Sequence, residues 1–277
     1  MPELPEMQAL GERLHAAFAG APLTGVSPMQ FSAAKTYAPP IESLVGMTLK
    51  GVGHRAKYVV FDFGGERLLL HLSQGGRVEL EERSKQTRPK GAVLRLAFGD
   101  RGGMLVKEFG TQRKAGWWVL APGDDGPLQK LGPDPFEARF EELILKSDDN
   151  RRLHTMLRDQ KVVSGIGRGY ADDILHRSRL SPYATLRSLD EVRRRELVAA
   201  VRAVLTDALE SERKRTGGLP PRLGDRFAIH NRAGEPCPRC GDPLRRVSYE
   251  DYEIAYCPKC QTEGKILADR RLSRLVK

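Results

Sequence analysis

Apolar residues recur in the chain at two different periods, and the change of period divides it. Met7, Leu10, Leu14 and Phe18 are spaced by three, four and four residues, one stripe of an amphipathic helix. Short strand-like runs follow. YVVFDF (58–63) and ERLLLHL (66–72) flank Gly64-Gly65 and read as a hairpin. AVLRLAF (92–98) and MLVKEF (104–109) flank GDRGG and read as a second, and WWVLAP closes the set. Residues 1–120 are therefore expected to form a β-sandwich with an N-terminal helix. The Pro- and Gly-dense stretch 121–135 reads as a linker. Beyond it the period is helical: FEARFEELILKS, RRLHTMLRDQ and GRGYADDILHRS each predict a helix. Ser188 and Glu191 have the spacing of a capping box at the head of a longer helix running towards Lys214. The expected fold class is α+β and multidomain, with a helical domain at 136–225, a cysteine module at 226–262 and a basic tail at 263–277.

Length and composition agree with a folded chain of more than one domain. The 277 residues are 40% hydrophobic and 30% charged. No apolar run reaches the roughly 18 residues of a membrane span, and no basic segment leads into an apolar stretch at the start, so a cytoplasmic protein is expected. The net charge is +10, of which residues 126–277 carry +7. That excess favours an acidic polymer as partner, although a basic protein without such a partner has the same balance.

The cysteines change the picture most. All four lie in CPRC and CPKC, at Cys237, Cys240, Cys257 and Cys260. Each C-x-x-C turns two thiolates towards one ion, and two such turns complete a tetrahedron. Four thiolates suit Zn²⁺ and leave no open position for catalysis, so one structural ion is expected. A redox pair or two disulfides are the alternatives. PLRRVSYEDYEIAY between the pairs reads as a hairpin, giving a zinc-ribbon-like finger.

Other positions are ambiguous on their own. Gly165 and Gly167 precede a helix, where free N–H groups can hold a phosphate, yet G-x-G is most often a tight turn. Lys57 reads as a solvated lysine and Phe109 as ordinary core, unless the ring projects from a loop and wedges into a base stack. Asp172 and Asp173 could form a paired acid site but read first as helix-surface charges. Pro2 and Glu3 in MPELPE raise a chemical possibility: with Met1 removed, Pro2 becomes a secondary amine beside a carboxylate.

Taken in order, PELPE, HRAKY, KEFG, LGPDP, DQKVVSGIGRGYADDILHRSRLSP and GEPCPRCG…YCPKCQ resemble the formamidopyrimidine-DNA glycosylase/endonuclease VIII family from Met1 to about Gln261. The resemblance implies a bifunctional enzyme that excises an oxidised base and cuts the strand by β,δ-elimination. In it the amine of Pro2 attacks C1′, Glu3 serves as acid/base at the sugar ring oxygen, Glu6 supports the pair, and Lys57 holds a phosphate. A proline nitrogen is nucleophilic only when terminal, and the iminium it forms stays positively charged and draws electrons. His71 and Gln74 in HLSQGG, Lys107 and Phe109 are implied to contact DNA and fill the gap left by the flipped nucleotide. Gly165, Gly167 and Arg168 belong to a helix-two-turn-helix element that, with the zinc finger, grips the backbone. The lesion is then expected in the cleft between domains. The implied partner is damaged DNA, expected as a duplex, met by a monomer with no obligate protein partner and no membrane.

The departures from the family pattern matter. Arg168 stands where asparagine is usual, Tyr252 where a phosphate-binding arginine is usual, and Gln74 where methionine is common in formamidopyrimidine-type enzymes. The short segment between Gly217 and Cys237 points to an oxidised-pyrimidine or broad preference. Lys265, Arg270, Arg271, Arg274 and Lys277 in the tail could add nonspecific contact or form an ordinary chain end. A zinc-stabilised protein that binds damaged DNA with reduced catalysis is the competing reading, and the altered phosphate contacts motivate it. A zinc-ribbon transcription factor would explain the cysteines but not MPELPE.

Overall fold

The computed structural model describes residues 1–109, 112–249 and 252–268. Two compact units emerge: Met1–Lys130 with Ala208–Gly224, and Leu131–Asp207 with Asp225–Lys277. The first break falls inside the Pro/Gly-rich stretch. The return of residues 208–224 to the first unit carries no signature in the apolar pattern.

In the first unit, helix α1 (Leu4–Phe18) starts with Pro5 in its first turn, where a missing N–H costs nothing. Leu4, Met7, Leu10, Leu14 and Phe18 form its buried stripe. Gly11 lets the helix lie against the strand that contains Gly53, since a Cβ there would sit 2.9 Å from the Gly53 carbonyl oxygen. Two antiparallel four-stranded sheets follow. One has the order β1 (Gly25–Pro28), β6 (Ala92–Ala97), β7 (Gly103–Glu108), β5 (Gly76–Glu81). The other has β2 (Gly51–Arg55), β3 (Tyr58–Asp62), β4 (Arg67–His71), β8 (Gly116–Leu120). Val59, Phe61, Leu68 and Leu70 share one core with Leu94, Leu96, Met104, Val106 and with Met7, Leu10, Leu14 and Phe18 of α1. The two hairpins read from sequence are β3–β4 and β6–β7, and they belong to different sheets.

Register brings several connections to one end of this sandwich. Tyr58 pairs with His71, His71 with Gly116, and Gly76 with Glu108. The β2–β3 turn, the β4–β5 turn and the β7–β8 loop therefore emerge together. The end of β1 and the start of β6 lie at that same end.

In the second unit, α2 (Ala138–Lys146), α3 (Leu153–Arg158) and α4 (Arg168–Arg177) precede α5 (Glu191–Arg213), whose last residues belong to the first unit. The predicted Ser188 cap is replaced. Ser188 closes a short 3₁₀ turn with Thr185, and Asp190 caps α5 by accepting from the Arg193 N–H at 2.8 Å. Asp190 wins because it directly precedes the helix. Buried Arg194 donates to the carbonyls of Ile144, Leu145 and Ser147, satisfying the C-terminal end of α2, and to that of Leu186 in the 3₁₀ turn. Strands β9 (Arg245–Ser248) and β10 (Glu253–Tyr256) form the expected hairpin, and α6 (Pro258–Gln261) carries the last cysteine. Lys265 is exposed, whereas Arg270, Arg271, Arg274 and Lys277 lie outside the described residues. No described helix is long and apolar enough to cross a membrane.

Candidate active site and metal centre

Helix α1 presents its N-terminal end with two buried carboxylates, Glu3 (3% exposed) and Glu6 (0% exposed). Glu3 is the N-cap. Glu6 accepts from the N–H of the Pro2–Glu3 peptide at 2.6 Å, one arm of a capping box. Charge at this position is favoured by the helix dipole, and the hydrogen bond fixes the peptide that carries Pro2.

Lys57 occupies a two-residue turn between β2 and β3, with Ala56 at φ 53°. It is 6% exposed, so the reading of a solvated lysine is overturned. Its neighbour is His71, whose imidazole is pushed down to about 4, first by burial and then by the Lys57 charge. At neutral pH His71 is therefore uncharged, and one ring nitrogen can donate while the other accepts. Its ring packs 4.9 Å from that of Tyr58.

Gln74 is exposed on the β4–β5 turn. That turn is stitched to the end of β7: the Phe109 N–H donates to the Gly75 carbonyl at 2.9 Å. Gly75 is required here, because a Cβ would lie 2.0 Å from the Phe109 carbonyl oxygen. Phe109 is 40% exposed at the tip, so the core reading is wrong for it. The Lys107 ammonium lies 5.6 Å from the Phe109 ring centroid and 3.0 Å from a Glu79 carboxylate oxygen. Glu108 holds the following loop by accepting from the N–H groups of Lys114 and Ala115.

Arg77 carries no signal in the sequence, yet it organises this end. Its buried guanidinium donates to the carbonyls of Gln74 (3.1 Å), Gly76 (2.7 Å) and Pro221 (3.1 Å). Leu219 pairs with Val78 through two backbone hydrogen bonds. Residues 219–221 thus brace the Gln74 turn. A lone arginine in a strand looks the same in sequence whether it is solvated or buried in this way.

In the second unit the Gly165 N–H donates to Gln160 Oε1 at 2.9 Å, while Gln160 Nε2 donates to the Arg158 and Ile166 carbonyls. One amide side chain thus shapes the turn before α4, of which Gly167 is the N-cap. Gly169 leaves room for Phe227, whose ring would lie 2.1 Å from a Cβ. The two departures of this unit meet: the Arg168 guanidinium is 5.7 Å from the Tyr252 ring centroid. Arg158 covers the same ring at 3.9 Å, and Tyr249 stacks on it at 4.6 Å.

Asp172 and Asp173 are not helix-surface charges; they are 1% and 6% exposed. Asp173 accepts from the Ala228 and Ile229 N–H groups. Asp172 accepts from the Ala255 N–H and lies 2.6 Å from His230 Nδ1 and 3.2 Å from His154 Nε2. The pair therefore ties α4 to the segment leading into the cysteine module and to its hairpin. A helix presenting two adjacent buried faces hides this from a periodicity argument.

The four cysteine sulfurs lie within 4.8 Å of one another. The Cys240–Cys257 and Cys237–Cys260 separations are 3.5 and 3.9 Å. A disulfide would need about 2.05 Å, whereas a tetrahedron of roughly 2.3 Å metal–sulfur bonds spans about 3.8 Å. The cluster can hold a metal ion. The Asp242 N–H leads in lowering the Cys240 thiol to about 7, while burial raises Cys257. His176 Nε2 stands 3.2 Å from Cys237 Sγ as an outer neighbour.

By sequence, the formamidopyrimidine-DNA glycosylase N-terminal domain family matches residues 1–118, and the formamidopyrimidine-DNA glycosylase H2TH domain family matches residues 131–217. The formamidopyrimidine-DNA glycosylase of Rhodopseudomonas palustris (strain BisB18) is 32% identical, covering 94% of this chain and 100% of that protein. The crystal structure of the MutM (Fpg) protein from Thermus thermophilus superposes with a TM-score of 0.80 at 29% identity, covering 95% of this chain and 100% of that one. The Lactococcus lactis formamido-pyrimidine DNA glycosylase, crystallised with DNA containing an AP site, shares the fold with a TM-score of 0.82 at 23% identity, covering 94% of this chain and 99% of that one. The chain belongs to the formamidopyrimidine-DNA glycosylase/endonuclease VIII family.

Proposed function

We propose that this DNA glycosylase of base excision repair is bifunctional, removing oxidised bases from damaged DNA and cleaving the strand at the resulting site. With Met1 removed, the Pro2 nitrogen attacks C1′ and the glycosidic bond to the base breaks. Glu3 protonates the sugar ring oxygen as the ring opens, leaving an iminium between Pro2 and C1′. The iminium draws electrons from C2′, so loss of the C2′ proton expels the 3′ phosphate, and a second elimination expels the 5′ phosphate. Lys57 would hold a phosphate of the damaged strand, with neutral His71 beside it as a hydrogen-bond partner. Gln74, Lys107 and Phe109 would occupy the space of the extruded nucleotide. Gly165, Gly167 and Arg168 would contact the backbone.

One observation supports this reading above the others: the Glu6 carboxylate holds the Pro2–Glu3 peptide in place, with both acids buried. Buried carboxylates are costly, and their concentration at a proline terminus has a chemical use. The finger would take one Zn²⁺ on Cys237, Cys240, Cys257 and Cys260, as a structural ion with no open position. The enzyme would act as a cytoplasmic monomer.

Borohydride reduction tests the reading. Damaged duplex should yield a covalent protein–DNA adduct that is lost when Met1 is retained or in Pro2→Gly with a blocked terminus. A DNA-binding protein of reduced activity, the reading favoured by Tyr252 in place of arginine, would bind the same duplex without an adduct.

A further inference from the structure

The sheet that carries Gln74 and Phe109 has a second feature at the same end. In the order β1-β6-β7-β5 the wedge residues stand at β7 and β5. Past β1 and before β6, a cavity of about 500 Å³ opens, lined among others by Phe31, Arg88, Lys90, Gly91 and Arg113. Among the described residues that line it, three are cations and none is a carboxylate. The Lys35 ammonium donates at 2.6 Å to the carbonyl of Ser32, one of the lining residues. The larger cavity of about 640 Å³ near α1 differs: Arg55 and Arg67 are balanced there by Asp62 and Asp125, and Arg67 pairs with Asp125 at 2.7 Å.

The lining also carries one aromatic ring. Phe31 is 82% exposed, and Tyr37, 66% exposed, stands beside it with ring centroids 6.0 Å apart. Backbone connects this lining to the wedge: the Glu108 N–H donates to the Gly91 carbonyl at 2.8 Å, one residue before Phe109. Gly91 has φ +79°, and a Cβ there would meet the Glu108 oxygen at 2.7 Å. A cluster of cations with no carboxylate among its described lining, set beside an exposed ring, matches a nucleotide, whose phosphate is anionic and whose base has a flat face.

We propose that this cavity receives a nucleotide of the DNA strand opposite the extruded one, its base against Phe31 and its phosphates against Arg88, Lys90 and Arg113. The inference rests on the glycosylase reading. Strand assignment follows from topology. Lys57 and His71 belong to the end of the sheet β2-β3-β4-β8, and the cavity lies beyond the wedge on the other sheet. The strand held at Lys57 carries the extruded nucleotide, so the strand on the far side of the wedge is its partner. Extrusion leaves a base there without its pair, and the exposed aromatic face offers it a stacking surface.

The test uses the full chain and two duplexes carrying a reduced abasic site, one with the opposite strand intact and one gapped for the nucleotides facing the site. Wild type should bind the intact duplex more tightly. Phe31→Ala should weaken binding to the intact duplex about five- to tenfold and leave the gapped duplex unaffected. Lys90→Ala with Arg113→Ala should reduce the salt slope by about 2 on the intact duplex only. These side chains lie at the surface, and an unchanged thermal midpoint confirms folding. Equal losses on both duplexes, or no loss on either, overturn the proposal. Failure of wild type to form a borohydride adduct would sink the catalytic reading alone, because the affinity comparison needs no chemistry.

Discussion

The backbone N–H of Phe109 donates to the carbonyl of Gly75 at 2.9 Å and joins the turn carrying Gln74 to the tip carrying Phe109. Two segments far apart in sequence are thereby presented together. In the proposed reading, where both residues fill the gap left by an extruded nucleotide, this hydrogen bond joins the two halves of the wedge.

Gly75→Ala places a Cβ 2.0 Å from the Phe109 carbonyl oxygen and must separate the two turns. Excision of a paired lesion base should fall at least about tenfold, with a smaller loss at a preformed abasic site, which costs less to extrude. Single-turnover kinetics on the two substrates measures the difference, and equal losses would show that the turns do not act in extrusion.

Arg77→Ala removes a buried guanidinium from three carbonyls. Stability should fall by about 2–4 kcal/mol in urea unfolding, since hydrogen bonds from charged donors are lost and carbonyls are left buried. Arg77→Lys should recover only part of it, because an ammonium cannot reproduce the planar fork. Full recovery by lysine would assign the effect to charge alone.

Asp173 gives a pH dependence of definite sign. Burial leads in raising its carboxyl from 3.8 to about 6, against the opposing N–H groups of Ala228 and Ile229. The folded state thus holds a proton that the unfolded state has lost, and stability falls as pH rises from about 4 to 6, then levels. The size is about 3 kcal/mol. Urea unfolding at pH 4 to 7 should show wild type losing up to that amount relative to Asp173→Asn. Protonation of the cysteines is common to both proteins and cancels, and parallel curves would contradict the assignment.

Metal removal should unfold the small core of Ile229, Leu244 and Ala255 that packs with Cys237 and Cys257. Elemental analysis should find one zinc per chain, with four thiols that react only after chelation. Chelation or Cys257→Ser should abolish hairpin amide protection and weaken DNA binding. Metal-free protein with intact protection and full DNA affinity would remove the structural role.

Legibility from sequence follows locality. The helix stripe of α1, the hairpins β3–β4, β6–β7 and β9–β10, and the cysteine spacing rest on neighbours in the chain, and each is found in the structure. Contacts between distant residues are not legible. Arg77 reaching Pro221 and Asp173 receiving Ala228 and Ile229 depend on segments brought together only by folding. Phe109 and the two aspartates mislead for a different reason: residue type suggests burial for a ring and exposure for a carboxylate, and tertiary placement reverses both.

The central claim is that Pro2, once freed of Met1, becomes bonded to the sugar. Intact-mass spectrometry of the borohydride-trapped complex, followed by peptide sequencing, locates that bond. An adduct on the Pro2 nitrogen of chains lacking Met1 is the expected result. An adduct on a lysine, or full activity in chains that all retain Met1, would contradict the account.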